Sequence, residues 1–240
     1  MTTEPRAGVA ACGRVTGYHA PMLRTEVDAV LAEVLRERRL LDHPFYRRWE
    51  AGTLEPEELA AYAAQYRHFE AALPGVLEQA LATLEHPEAR ALVQANLDDE
   101  RGVPAAHVEL FDEFARAVGA PSGADAAPAT AALVGTYAEL ADQPPVLALA
   151  ALAAYEVQAP EIAASKADGL RTRYGLTDDA TRFWDVHAGI DESHGAWIVE
   201  AIAAITDDAA AVRGAAERAA DAWWSFLDER QAHAPAGAAC

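Results

Sequence analysis

His187, Asp191 and His194 stand four and then three residues apart. On a helix that turns about 100° per residue, their side chains fall within one narrow sector. Two imidazoles and a carboxylate so placed can hold a divalent metal ion. The triplet can equally be read as hydrogen-bonded core histidines with one ion pair, and alone it decides nothing. Glu100 and His107 are seven residues apart, again two turns and nearly one direction if the helix accommodates a break at Gly102 and Pro104. Glu156 ends the small apolar run Leu147–Tyr155, which would otherwise be buried on every side. A buried carboxylate needs a partner. Arg171 and Arg173 lie about four turns further along and hardly reach back, so a metal is the better partner for Glu156. Asp98 and Asp99 read as a solvated helix face and stay outside the set. Three carboxylates and three imidazoles suit iron or manganese better than a closed structural zinc site.

The elements that must position these residues are helices. Apolar residues recur at three- and four-residue spacing from Met22 to Leu41, which predicts a helix with one buried face. His43-Pro44-Phe45-Tyr46 opens a short helical turn that Gly52 closes. Glu55-Pro56-Glu57-Glu58 starts a helix through Tyr62, Tyr66 and Phe69 to Pro74, continuing bent to Leu84. A helix from Pro87 to Glu100 resumes through His107 and Phe114. Further helices are expected at 130–142, 145–173, 178–205 and 208–231. No strand competes, so the fold class is all-α. A flexible segment 1–20, a single domain 21–231 and a flexible tail 232–240 are the expected organisation.

Composition narrows the partners. Nineteen basic residues against 38 acidic ones give a net charge of −19, which repels nucleic-acid phosphates and anionic lipid surfaces. No apolar run approaches the roughly 20 residues of a membrane-spanning helix. The first 20 residues lack a basic start followed by an apolar stretch, so a cytoplasmic location is expected. Cys12 and Cys240, one near each end, offer neither a disulfide framework nor a thiolate metal site. A homodimer is the expected assembly.

Glu100-x6-His107, Tyr155-Glu156 and His187-x3-Asp191-x2-His194 together resemble the ligand pattern of the heme-oxygenase-like di-iron oxidases. That resemblance implies a heme-oxygenase-like bundle of about seven to eight helices. It also implies two iron ions, or a manganese–iron pair, held by Glu100, His107, Glu156, His187, Asp191 and His194, with O2 and an external reductant as co-substrates. Within the family, the chain resembles the branch that makes para-aminobenzoate for folate from one of its own tyrosines. Tyr46, in His43-Pro44-Phe45-Tyr46-x2-Trp49, matches the sacrificed tyrosine; Tyr62 matches a second important tyrosine; and Lys166, ten residues after Glu156, matches the lysine that donates the amino group. Phe183 departs from that branch, which has a tyrosine one turn before the first histidine of the triplet. On an ideal helix Lys166 points about 80° away from Glu156, unless Pro160 bends the chain between them.

The pattern rejects nearby activities. A thiaminase of this architecture needs a core cysteine, and none lies between Cys12 and Cys240. A metal-free quinone-cofactor oxidase has no use for converging carboxylates, and heme oxygenase uses one histidine near the chain start. Two alternatives stand: a di-iron oxygenase acting on an external small amino acid or fatty acid, and a metal-bound helical interaction protein. Gly189 and Gly195 each cost the ligand helix about 1 kcal/mol relative to Ala. Metal should therefore order this helix: hydrogen exchange is expected to slow at residues 187–195 when iron is added, and equal protection with and without iron would refute the expectation.

Overall fold

The computed structural model describes residues 21–102 and 105–232, without the side chains of residues 190–192. The expected end segment 1–20 and all but Ala232 of the expected tail 232–240, with Cys12 and Cys240, lie outside the described residues, as does Pro104; Ala232 is the last residue of the last helix. The described residues form ten α-helices and no strand. The helices are α1 (Arg24–Leu35), α2 (Pro44–Ala51), α3 (Pro56–Thr83), α4 (Pro87–Glu100), α5 (His107–Ala117), α6 (Pro128–Ala141), α7 (Pro145–Glu156), α8 (Ala159–Thr172), α9 (Asp178–Ile205) and α10 (Ala209–Ala232). This all-α bundle is the fold class expected from the sequence.

Local chemistry sets the boundaries. α1 buries Val27, Val30, Leu31 and Leu35 and stops at Arg36; a separate 3-10 turn, Leu40–Asp42, carries the rest of the segment expected to be helical. In α2 the His43 side chain accepts a hydrogen bond from the Phe45 amide, Pro44 fills the first turn, and Gly52 ends the helix at a φ of 69°. α3 opens on a reciprocal cap between Glu55 and Glu58 and runs on through Pro74. The stretch expected to be one helix over 145–173 is two, because Pro160 can neither donate to the carbonyl four residues back, that of Glu156, nor sit beside it without a clash.

α7 is the innermost element. Every residue from Ala148 to Glu156 is buried, and its alanines let α9, α10, α6 and α3 pack closely around it. Among the described residues, only Pro145–Thr172, spanning α7 and α8, is long and apolar enough to match a membrane span, and 67% of its most apolar window is buried inside the bundle. Its hydrophobicity serves the core. α9 runs along the other side of the site and packs against α4, α5, α7 and α8. The two bring the candidate ligands to one place.

The two glycines of α9 differ in surroundings. A Cβ on Gly189 would meet nothing within 4 Å, whereas one on Gly195 would lie 3.2 Å from the Glu156 carbonyl oxygen at the end of α7. Gly195 is a site of close backbone approach. Gly189→Ala is expected to raise metal-free stability by about 1 kcal/mol through helix propensity, and Gly195→Val to lower it by about 2 kcal/mol through overpacking. Urea unfolding of both variants checks this pair; a Gly195→Val protein as stable as the parent would contradict the close approach.

Candidate metal centre

Four helices deliver the expected ligands. Glu100 is the last residue of α4 and His107 the first of α5, so the two sit on separate helices rather than two turns apart on one. Glu156 is the last residue of α7, and His187 and His194 lie on α9. Asp191 lies between them on the same helix; its side chain is outside the described residues. Glu100, His107 and Glu156 are buried at 3%, 3% and 4% exposure. One donor atom from each of Glu100, His107 and His187 falls within 4.8 Å of the others, a group fit to hold a metal ion.

Glu100 is the hub. Its Oε2 lies 3.1 Å from His107 Nδ1 and its Oε1 lies 3.7 Å from His194 Nδ1, so the carboxylate faces imidazoles on two sides. His107 Nδ1 nonetheless has no well-aligned hydrogen-bond partner among the described residues, so its lone pair stays available to a metal ion. The rings of His107 and His187 lie 4.4 Å apart.

Outer contacts orient the imidazoles. His187 Nδ1 lies 2.7 Å from the Phe183 carbonyl, to which it donates, and this leaves Nε2 free to coordinate a metal ion. His194 Nε2 lies 3.3 Å from Asp99 Oδ2, which directs Nδ1 toward Glu100. Asp99, read from the sequence as solvated surface, is therefore part of the site at one remove, in the role that carboxylates commonly take behind metal-bound histidines.

The sequence reading also missed Glu70. It lies on α3, is 3% exposed, and has an Oε2 atom with no hydrogen-bond partner among the described residues. Burial and the charge of Glu100 push its pKa up to about 8. Burial, then Glu100 and Glu70, push Glu156 well above the usual carboxylate range. For Glu100 burial acts upward as well, but the adjoining histidines outweigh it and hold the carboxyl below its ordinary value. Burial and the neighbouring His107 lower His187 to about 3.

No lysine or arginine salt bridge reaches Glu70, Glu100 or Glu156 among the described residues. Arg171, once a possible partner for Glu156, pairs with Asp178 and Asp185 instead. Glu100 and Glu156 also end their helices, where the dipole's negative pole repels a carboxylate. Metal cations resolve each of these conflicts, and the nitrogen and oxygen donors present fit iron.

A second buried group adjoins this one. Lys166 on α8 is 1% exposed, donates from Nζ to the Tyr62 hydroxyl at 2.6 Å, and lies 4.5 Å from the centre of the Tyr46 ring. The Tyr62 and Tyr46 hydroxyls are 2.9 Å apart. Lys166 thus turns inward rather than to solvent, and the break between α7 and α8 supplies the rotation that an unbroken helix would deny it. Burial drives its pKa well below the ordinary lysine value, with Glu70 opposing. Tyr66 and Tyr155 link the two groups: their hydroxyls are 2.5 Å apart, and Tyr155 immediately precedes Glu156. Phe183, the departure noted above, packs its ring 4.0 Å from that of His187.

Known proteins place this architecture. A family model described as an iron-containing redox enzyme matches residues 60–224. A protein of Nitrosomonas europaea named 4-aminobenzoate synthase is 39% identical, over 81% of this chain and 87% of its own length. One of the same name from Chlamydia pneumoniae is 28% identical, over 82% of this chain and 92% of its own. Among solved structures, a TenA homologue from Pseudomonas syringae matches with a TM-score of 0.76 at 17% identity, over 96% of this chain and 100% of that one. A CADD-like protein of unknown function from Nostoc punctiforme matches with a TM-score of 0.75 at 18% identity, over 88% of this chain and 98% of that one.

Two expectations follow from the geometry. Asp99→Ala is expected to weaken Fe(II) binding by about 10- to 100-fold, measured by competition with a coloured chelator; unchanged affinity would remove Asp99 from the site. Lys166, with a folded pKa far below the 10.5 of an exposed lysine, opposes folding between those two values, because there the unfolded chain binds a proton that the folded one excludes. Within that window the parent protein gains about 1.4 kcal/mol per pH unit relative to Lys166→Met. Lys166→Met should be the more stable protein at pH 7, with an advantage that shrinks toward pH 10. A gap independent of pH would mean that the lysine is charged.

Proposed function

The chain belongs to the family of iron-containing redox enzymes, and from that membership we propose that it is a di-iron, O2-activating oxidase that makes 4-aminobenzoate from its own Tyr46 and Lys166. The observation that carries the reading is the buried contact of Lys166 with Tyr62 and, through it, Tyr46. The two relatives that span most of this chain under the name 4-aminobenzoate synthase support it. Glu100, with one oxygen toward His107 and the other toward His194, could supply a donor to each of two ions, which supports the two-metal reading.

Each residue has a task in this reading. A reduced iron pair, when bound, supplies the electrons that activate O2. Tyr46 contributes a six-membered ring with a carbon substituent para to its hydroxyl, the skeleton of 4-aminobenzoate. Lys166 contributes nitrogen. An ammonium ion has no lone pair to attack an oxidised ring, so the burial that neutralises Lys166 also makes it a nucleophile. Tyr62 hydrogen-bonds both groups and passes a proton between them. Trp49 and Trp184 close over Lys166, with ring centres 5.8 and 4.0 Å from Nζ, and exclude water that would compete for the oxidised ring.

The test is aerobic incubation of the purified protein with Fe(II) and reductant and no other substrate, followed by mass spectrometry of small molecules and of the Tyr46 and Lys166 peptides. The expected result is less than one equivalent of 4-aminobenzoate per chain, with matching loss at both residues. O2 consumption with both side chains intact would overturn the self-sacrificing reading while leaving an iron oxidase.

A further inference from the structure

Three buried carboxylates share a sequence feature that Glu100 and Glu156 do not explain alone. Glu70 is followed four residues later by Pro74, Glu100 by Pro104 and Glu156 by Pro160. None of the chain's ten other prolines has an acid at that distance. A proline cannot donate to the carbonyl four residues back, so the helical ladder is cut at each of these glutamates. At Glu100 and Glu156 the cut coincides with the end of a helix. α3 instead continues through Pro74, and the Glu70 carbonyl is left without its helical donor. An interior proline costs an α-helix about 3 kcal/mol, a cost that α3 bears at the turn that carries Glu70.

Side-chain surroundings single out the same residue. Glu70 follows Tyr62 and Tyr66 at four-residue spacing and so faces the core with them. α3 packs against α4, α5 and α7, the helices that carry Glu100, His107 and Glu156. The Oε2 atom of Glu70 is fully buried with no hydrogen-bond partner among the described residues, and no salt bridge reaches it there. Glu100, His107 and Lys166 all act on it electrostatically and Tyr66 lies within hydrogen-bonding reach of it, so the carboxylate is within range of both the metal-binding group and the tyrosine–lysine group. A carboxylate buried this way needs a cation, and Lys166 is spent on Tyr62.

We propose that Glu70 is a further carboxylate ligand of the metal centre, reaching it from α3 on the side that faces Tyr66. The proposal rests on the two-metal reading above and extends it by a ligand that the expected set lacks. Glu70 stands outside the tight group of Glu100, His107 and His187, so it would serve the second ion rather than the first. An ion held by Glu70 would have the Tyr66 hydroxyl, and the Tyr155 hydroxyl bonded to it, among its nearest polar neighbours.

Anaerobic titration of metal-free protein with Fe(II), followed by near-infrared magnetic circular dichroism, reads each ion separately from turnover. Glu70→Gln keeps the side-chain volume and removes the charge; Glu70→Asp keeps the charge with shorter reach. The parent is expected to take up two ions. Glu70→Gln should bind one with parental affinity and the other at least tenfold more weakly, with an altered ligand-field spectrum, and Glu70→Asp should recover part of the loss. Melting should also cross over: without metal Glu70→Gln melts above the parent, because the repulsion between Glu70 and Glu100 is gone, yet it gains less from Fe(II). Two ions bound by both variants with parental affinity and spectrum would overturn the proposal alone. A parent that takes up one ion or none would overturn the two-metal reading and the proposal with it.

Discussion

Three carboxylates buried in an apolar core without a guanidinium or ammonium partner are the constraint on which the remaining structure depends. Each would be costly as an isolated charge, and the charge of Glu100 raises the proton affinity of the other two. Burial and mutual repulsion push Glu70 and Glu156 up; only Glu100, flanked by histidines, is held down. A core so built has unsatisfied demand for positive charge at one point. The surrounding architecture follows from meeting that demand: two helices end on carboxylates, a third begins on a histidine, and a 28-residue helix lays two more histidines alongside. Metal binding and packing of these helices are consequently one event energetically.

The same low-dielectric interior has the opposite effect on the basic residue beside it. Lys166 sits among Tyr46, Trp49, Tyr62, Tyr66 and Trp184, an environment that favours the neutral amine. Acids that call for cations and a lysine that sheds its proton are kept apart in the fold by side chains rather than by solvent. The phenol pair Tyr66 and Tyr155 bridges them. A proton or an electron leaving one region for the other meets hydroxyls at hydrogen-bond distance rather than a gap.

Much of this was legible in the amino-acid order, for identifiable reasons. The α9 triplet shows because helical spacing converts sequence distance into direction. Glu156 shows because a charge closes a run of residues that have nothing polar. Glu70 was missed because it lies within a long amphipathic helix where an acid is unremarkable, and only its unpartnered oxygen distinguishes it. Asp99 was set aside on the general exposure of aspartate; its contact with His194 depends on how α4 meets α9, which no local pattern encodes. The division between α7 and α8 was foreshadowed as a bend at Pro160, and the structure makes it a full break.

Tyr46 is 1% exposed, its ring wedged between Phe45, Tyr62 and the Lys166 side chain. Packing of that quality has a consequence for the chain's lifetime. Removing a large aromatic side chain from such a site typically costs 3–5 kcal/mol, a large share of the 5–15 kcal/mol that holds a domain folded. A protein that surrendered this ring would keep its sequence elsewhere and still be a weaker solid, opening more often to proteases. Under the self-sacrificing reading, a residue built this deeply into the core would double as a fuse: used chains would mark themselves for degradation, and the cell's supply of product would be set by translation rather than by turnover.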